Sequence, residues 1–143
     1  MDFFTWKDSF CIGIERLDDQ HRSFFECLND CHAQTVTNKR ATLDEALLAR
    51  LKAYAAEHFE TEEDMMRFFG YPDIRPQQRQ HKYFASQVVD FEQAQARGNP
   101  ASAQSVLNFV RDWFLEHVLA EDKKFAVFMA EKNSNGDGSL SRY

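Results

Sequence analysis

Four stretches of this chain place apolar side chains three and four residues apart, and each stretch ends in a polar run, a glycine or a proline. That 3.6-residue period fits amphipathic helices whose stripes must bury one another. The first stripe is Leu17, His21, Phe24, Leu28, Cys31 and Thr35, with Asp18 or Asp19 as the expected N-cap, and it runs out in Thr37-Asn38-Lys39-Arg40. The second follows a capping box, Thr42-Leu43-Asp44-Glu45, and reads Leu43, Leu47, Leu51, Tyr54, His58, Glu62, Met65 and Phe69, closed by Gly70 at C′. A rigid Tyr71–Pro76 link leads to Gln77, His81, Phe84, Val88, Phe91 and Gln95, ended by Gly98. Asn99-Pro100 then caps and starts a fourth stripe of Ala103, Val106, Val110, Trp113 and His117.

Four helices of similar length on short links specify an all-α fold, an antiparallel up-down-up-down four-helix bundle. Residues 1–17 lack the period and carry the anchors Phe3, Phe4, Trp6, Phe10, Ile12, Ile14 and Leu17, so they read as an N-terminal extended arm. Phe125, Val127 and Phe128 add a short C-terminal helical piece. The expected division is one domain over residues 1–132 and a polar tail or linker over 133–143. Asn133–Gly138 resembles the opening of a calcium loop, but no bidentate Glu follows to complete one.

A net charge of −6 argues against nucleic acid and anionic membranes as partners, since both call for a basic footprint. No apolar run reaches the ~18 residues of a membrane span, and Met1–Lys7 lacks the signature of a secretory signal. Cys11, Cys27 and Cys31 fit neither a disulfide framework nor a zinc motif, so free thiols in a reducing cytoplasm are expected. The 14 phenylalanines imply an aromatic core.

The histidines carry the chemistry. His21, His58, His81 and His117 come one from each helix, and each holds a stripe position that should face the core. A lone histidine on an apolar face is usually a packed core residue; four converging ones, with Glu62 one turn beyond His58, are hard to obtain from packing. A buried glutamate also demands a cation or a donor. His32 lies ~16 Å along the axis from His21 and is read as structural or surface. Imidazoles with a carboxylate suit iron, manganese or zinc. A second carboxylate is wanted to bridge two metals. Spacing nominates Glu121, four after His117; Asp122, five after, sits ~140° around a regular helix and reaches the site only if the helix bulges.

His21, His58-x-x-x-Glu62, His81 and His117-x-x-x-x-Asp122 together resemble the ligand signature of the hemerythrins, particularly bacterial hemerythrin-like domains. Asp18-x-Gln20-His21, His58-Phe59-x-x-Glu62-Glu63, Tyr71-Pro72 and Trp113-x-x-x-His117 are similar to family patterns too, and the resemblance covers roughly residues 6–125. It implies two iron ions with a bridging oxo or hydroxo group, and metal ligands His21, His58, Glu62, His81, His117 and Asp122. Glu62 and Asp122 would be the bridges, with irregular backbone between His117 and Asp122. The chain departs from the pattern at Gln77, which stands where the family's first third-helix histidine belongs. Gln77 is thus a weak ligand at best, since a neutral amide binds iron less well than imidazole.

The resemblance further implies reversible binding of O2, with NO as a second candidate ligand. Phe25, Phe59, Phe84, Trp113 and Phe114 are the candidates to line a dry pocket, each equally readable as plain core. No base or nucleophile is needed for that step, so no catalytic residue is named. Losing one histidine favours O2 or redox sensing, in a domain joined to an output such as a diguanylate cyclase or chemoreceptor. A stand-alone O2 carrier or store is the alternative. A di-iron oxidase or an NO- or peroxide-reducing enzyme comes third, because such oxidases have sites richer in carboxylate.

Overall fold

The computed structural model describes residues 3–134, and the fold is helical throughout that range. Helix α1 spans Glu15–Thr37, α2 Glu45–Phe69, α3 Ile74–Ala96 and α4 Ala103–His117. A π-helical stretch, Val118–Asp122, runs without a break into α5, Lys123–Ser134. α1 packs on α2 and α4, and α3 on α2 and α4, which closes the four-helix bundle expected from the stripes. α5 takes in the first two residues of the expected tail and of its calcium-like stretch, and the rest of both lies outside the described residues.

Three of the expected helix starts are corrected. α1 begins at Glu15, one turn before the aspartates proposed to cap it. Gly13, at φ +88°, turns the chain into the helix. The buried Asp18 carboxylate accepts the Ile12 and Gly13 N–H groups at 2.8 and 3.1 Å, so it ties the arm to the helix instead of capping the first turn. For α2 the N-cap is Asp44, whose side chain accepts Ala46 N–H at 2.8 Å, and the Thr42 box does not form. Thr42 forms a backbone bridge with Ser102 across the bundle end. For α4 the cap is Ser102, accepting Ser105 N–H at 3.1 Å, three residues after the proposed Asn99. Asp18 and Thr42 are drawn into tertiary ties, while Asn99 N–H closes the last turn of α3 on Ala94 O.

The helix ends follow the sequence more closely. Gly70 and Gly98 take φ values of +71° and +77°, and the next residue's N–H reaches back to close the last turn. Lys39 does the same at +54° without being glycine.

The arm lies along α1 as expected, with one 3-10 turn at Asp8–Phe10. Asn29 clamps the Phe4 backbone through two 2.7 Å bonds, and Phe4 stacks on Phe25 at 4.0 Å. His32, read as structural or surface, stacks on Phe3 at 4.6 Å. Two apolar clusters result. The larger is phenylalanine-rich and contains Phe24, Phe25, Phe59, Phe84 and Phe114. The smaller joins Leu17, Met65, Met66, Phe69, Tyr71, Phe125 and Met129 beneath α5. The four stripe histidines belong to neither cluster; they lie in the layer between.

Asp18→Ala leaves two N–H groups beside a buried position without acceptors. It is expected to cost about 1–3 kcal/mol of unfolding free energy. Urea titration checks the cost, and faster amide exchange at Ile12 and Gly13 should accompany it.

Candidate metal centre

Each helix delivers one imidazole to the layer between the two apolar clusters. His21, His58, His81 and His117 are 3% exposed or less, and Glu62, Asp122 and Gln77 are fully buried beside them. His21, His58, Glu62 and Asp122 form one group, and Glu62, His81 and His117 a second, with the ligand atoms of each group within 4.8 Å of one another. Glu62 belongs to both. Its Oε2 lies 3.1 Å from His58 Nε2, and its Oε1 lies 3.0 Å from His81 and 3.4 Å from His117 Nε2. Asp122 is split the same way, with Oδ2 3.2 Å from His21 Nε2 and Oδ1 3.2 Å from His117 Nε2.

Asp122 arrives there because the backbone is irregular where the resemblance implied it should be. The π-helical stretch widens the turn after His117, so a residue five positions on falls back onto the same face. Glu121, the choice of regular spacing, instead points outward and pairs with Lys124 at 3.4 Å.

The outer nitrogens of three histidines are held in a cyclic order. Gln20 on α1 accepts from His58 Nδ1 on α2 at 2.8 Å. Glu63 on α2 accepts from His81 Nδ1 on α3 at 2.7 Å, and Gln80 on α3 accepts from His117 Nδ1 on α4 at 2.6 Å. These acceptors place the proton on Nδ1 and leave the Nε2 lone pair facing inward. Gln20 and Glu63 belong to the family-like patterns of the sequence without a role of their own there, and no stripe singles out Gln80. Their signal was position: each is the immediate neighbour of a cluster residue, and so faces the adjoining helix.

Inward lone pairs make the cluster unsatisfied on its own. His21 and His58 bring their Nε2 atoms to 3.0 Å, and His81 and His117 to 3.1 Å. Glu62 Oε2, Asp122 Oδ2 and Gln77 Oε1 have no hydrogen-bond partner among the described residues, despite the short distances from the two carboxylates to histidine nitrogen. Lone pairs crowded this closely require protons or cations among them. Electrostatics point the same way. Burial opposes charge on Glu62, yet the nearby His58 and the hydrogen bonds from His117 and His81 hold its carboxyl well below the ordinary range. Burial likewise opposes charge on His117, but Asp122 and Glu62 outweigh it and push the pKa up to about 10. At His58 burial wins and the pKa is lowered. A neutral imidazole beside an ionised carboxylate is the donor pair that a hard or borderline cation takes. The residues present therefore fit a metal pair.

Gln77 reaches the cluster as well, and its amide nitrogen donates to Asp122 Oδ1 at 3.1 Å. Of the proposed lining, Phe59 stacks on His81 at 4.1 Å, Trp113 on His117 at 4.9 Å, and Phe114 meets His58 and His21 at 5.5 and 6.1 Å. Phe25 and Phe84 stand behind, against Phe114 at 5.9 and 6.1 Å. Trp6, read from the sequence only as an anchor of the arm, comes within 6.4 Å of His21.

A four-helix bundle that aims imidazoles and two carboxylates into one buried layer has the donor set of a cation-binding helical protein. Residues 12–128 match the family described as Hemerythrin HHE cation binding domain, and the chain belongs to that family. It is 30% identical over 127 residues to a bacteriohemerythrin of Clostridium acetobutylicum, covering 85% of this chain and 98% of the relative. It is 27% identical over 125 residues to a myohemerythrin of Sipunculus nudus, covering 87% and 92%. A wild-type hemerythrin crystal structure superposes with a TM-score of 0.76 at 25% identity, covering 87% of this chain and 95% of that one. None of the described helices is long and apolar enough to cross a membrane.

Proposed function

We propose that the buried layer holds two iron ions and binds O2 reversibly, and that the chain serves as an O2- or redox-sensing domain more than as a carrier. One observation carries the di-iron reading: Glu62 and Asp122 each direct one oxygen at each histidine pair, the arrangement that two bridging carboxylates need. In this reading His21 and His58 would hold one ion, His81 and His117 the other, and Glu62 and Asp122 would be shared between them. When bound, the iron pair would supply the electrons for O2 binding. The chain's own part is orientation and exclusion of water. Gln20, Glu63 and Gln80 fix the imidazole planes, while Phe59, Trp113 and Phe114 cover three of the rings.

Sensing is favoured by Gln77. Its amide gives Asp122 a hydrogen bond where the family pattern gives the second ion an imidazole, so that ion has one strong donor fewer. A less enclosed ion should oxidise sooner, which suits a signal and harms a store. A reducing cytoplasm, three free thiols and a covalently linked output domain are compatible with that role.

Gln77→His tests the reading. The parent protein is expected to bind about two irons per chain and to lose O2 by oxidation, with its oxygenated form outlived roughly tenfold by that of the variant, the scale on which groups around a ligand tune a metal site. Metal analysis and stopped-flow absorbance read both. An oxygenated parent as long-lived as the Gln77→His variant would sink the sensing argument. A parent without bound iron would sink the di-iron reading.

A further inference from the structure

We infer that divalent cations enter and leave this centre through a cleft between α1 and α2 that ends on His58, with Gln20 as its latch. The inference rests on reading the cluster as a metal centre. His21, Glu62 and Asp122 are wholly enclosed, so a cation needs a path past at least one side chain. A cavity of about 200 Å³ is walled by Asp19, Gln20, Ser23, Tyr54, Glu57 and His58. Four other clefts, beside α5, at the α1–α2 link and along the arm, are lined by no residue of the cluster. The cleft on His58 thus joins solvent to a side chain that the proposed function makes a ligand.

Its chemistry suits a cation in transit. Asp19 and Glu57 stand exposed among its walls. Arg22 offsets the first through a 2.8 Å pair, whereas Glu57 has no ion pair among the described residues. Carboxylates at the mouth of a cleft with low-dielectric walls raise the local concentration of cations. The outer edge of His58, which faces the cleft, is held by neutral hydrogen bonds: Gln20 Oε1 accepts from His58 Nδ1, and Gln20 Nε2 donates to Thr61 Oγ1 at 3.1 Å. Neutral bonds of this kind are weaker than charge-assisted ones. By contrast, the acceptor on His81 is the Glu63 carboxylate, itself gripped by Gln78 at 3.2 Å and by Arg67 at 3.7 Å. His117 also rests on a neutral amide, that of Gln80, but none of the described clefts opens onto it. When Gln20 lets go, the His58 ring is free to turn toward the cleft, and a cation can pass from the rim to the inner carboxylates.

The test is the rate of Co2+ uptake by the metal-free full chain, followed by quenching of tryptophan fluorescence, together with metal release from the loaded protein into excess chelator. Asp19→Asn with Glu57→Gln is expected to slow uptake about three- to tenfold at low ionic strength while the final Co2+ stoichiometry stays the same. The difference should vanish at high salt, where surface charges are screened. Gln20→Ala should release metal about tenfold faster, in line with loss of a ligand's outer partner. Asp90→Asn with Glu116→Gln removes the same charge from exposed positions elsewhere and should change neither rate. Uptake slowed equally by that control, or unchanged in the cleft variant at full stoichiometry, overturns the route and leaves the metal centre standing. A parent that takes up no Co2+ overturns both.

Discussion

Glu62→Gln is expected to drop the metal content from about two ions per chain to one or none, with the helix content unchanged. The substitution keeps shape and volume and removes only the charge. Glu62 is fully buried and is within 3.4 Å of three histidine nitrogens, with a fourth, His21 Nε2, at 4.0 Å. Two divalent ions bring four positive charges into a layer whose only other fully buried carboxylate, among the described residues, is Asp122. A dry site left with one anion cannot balance two such cations, because uncompensated buried charge costs several kcal/mol. Loss of one oxygen ligand from each ion adds to that. Elemental analysis reads the content directly. Thermal unfolding provides the second reading: added iron should raise the parent's Tm by mass action and raise the variant's less or not at all. A Glu62→Gln protein that keeps about two ions and the parent's absorption spectrum would show that Glu62 is no bridge.

What could be read from the sequence was whatever depended on period. The four histidines and Glu62 lie on stripes that must face inward, so a helical wheel finds them without coordinates. Asp122 does not follow from period, because its side chain reaches the layer only through the π-helical stretch after His117, and nothing in Val118-Leu119-Ala120-Glu121 announces that distortion. Regular geometry pointed to Glu121, which pairs with Lys124 instead; the family resemblance, a different kind of information, pointed to Asp122. Gln20, Glu63 and Gln80 escaped for a related reason. They lie off the stripes, and their partners belong to neighbouring helices 18 to 38 residues away. The helix starts failed at Asp18, Thr42 and Asn99, because cap preferences rank residues locally while the arm and the Thr42–Ser102 bridge are tertiary. Asp18 shows this most clearly: a residue chosen as a cap turned out to be an anchor for the chain that precedes it.

Phe114→Ala is expected to cost about 3–5 kcal/mol, the range for emptying a fully enclosed aromatic site. Its ring stacks on Phe24 at 4.1 Å and meets Phe59 at 5.8 Å, so the loss includes aromatic pairings as well as a cavity. Urea unfolding of the metal-free protein measures it, with Val127→Ala, at a 59% exposed position, expected to stay within about 0.5 kcal/mol of the parent. The same substitution separates wall from filler. Phe24 is buried as deeply as Phe114, and its ring partners are Phe25 and Phe114, whereas Phe114 also covers His58 and His21. If Phe114 excludes water from the metal layer, Phe114→Ala should shorten the life of the oxygenated protein and speed metal loss, and Phe24→Ala should do neither at a comparable stability cost. Equal effects of the two on oxygenation would make Phe114 a core residue that happens to touch histidines.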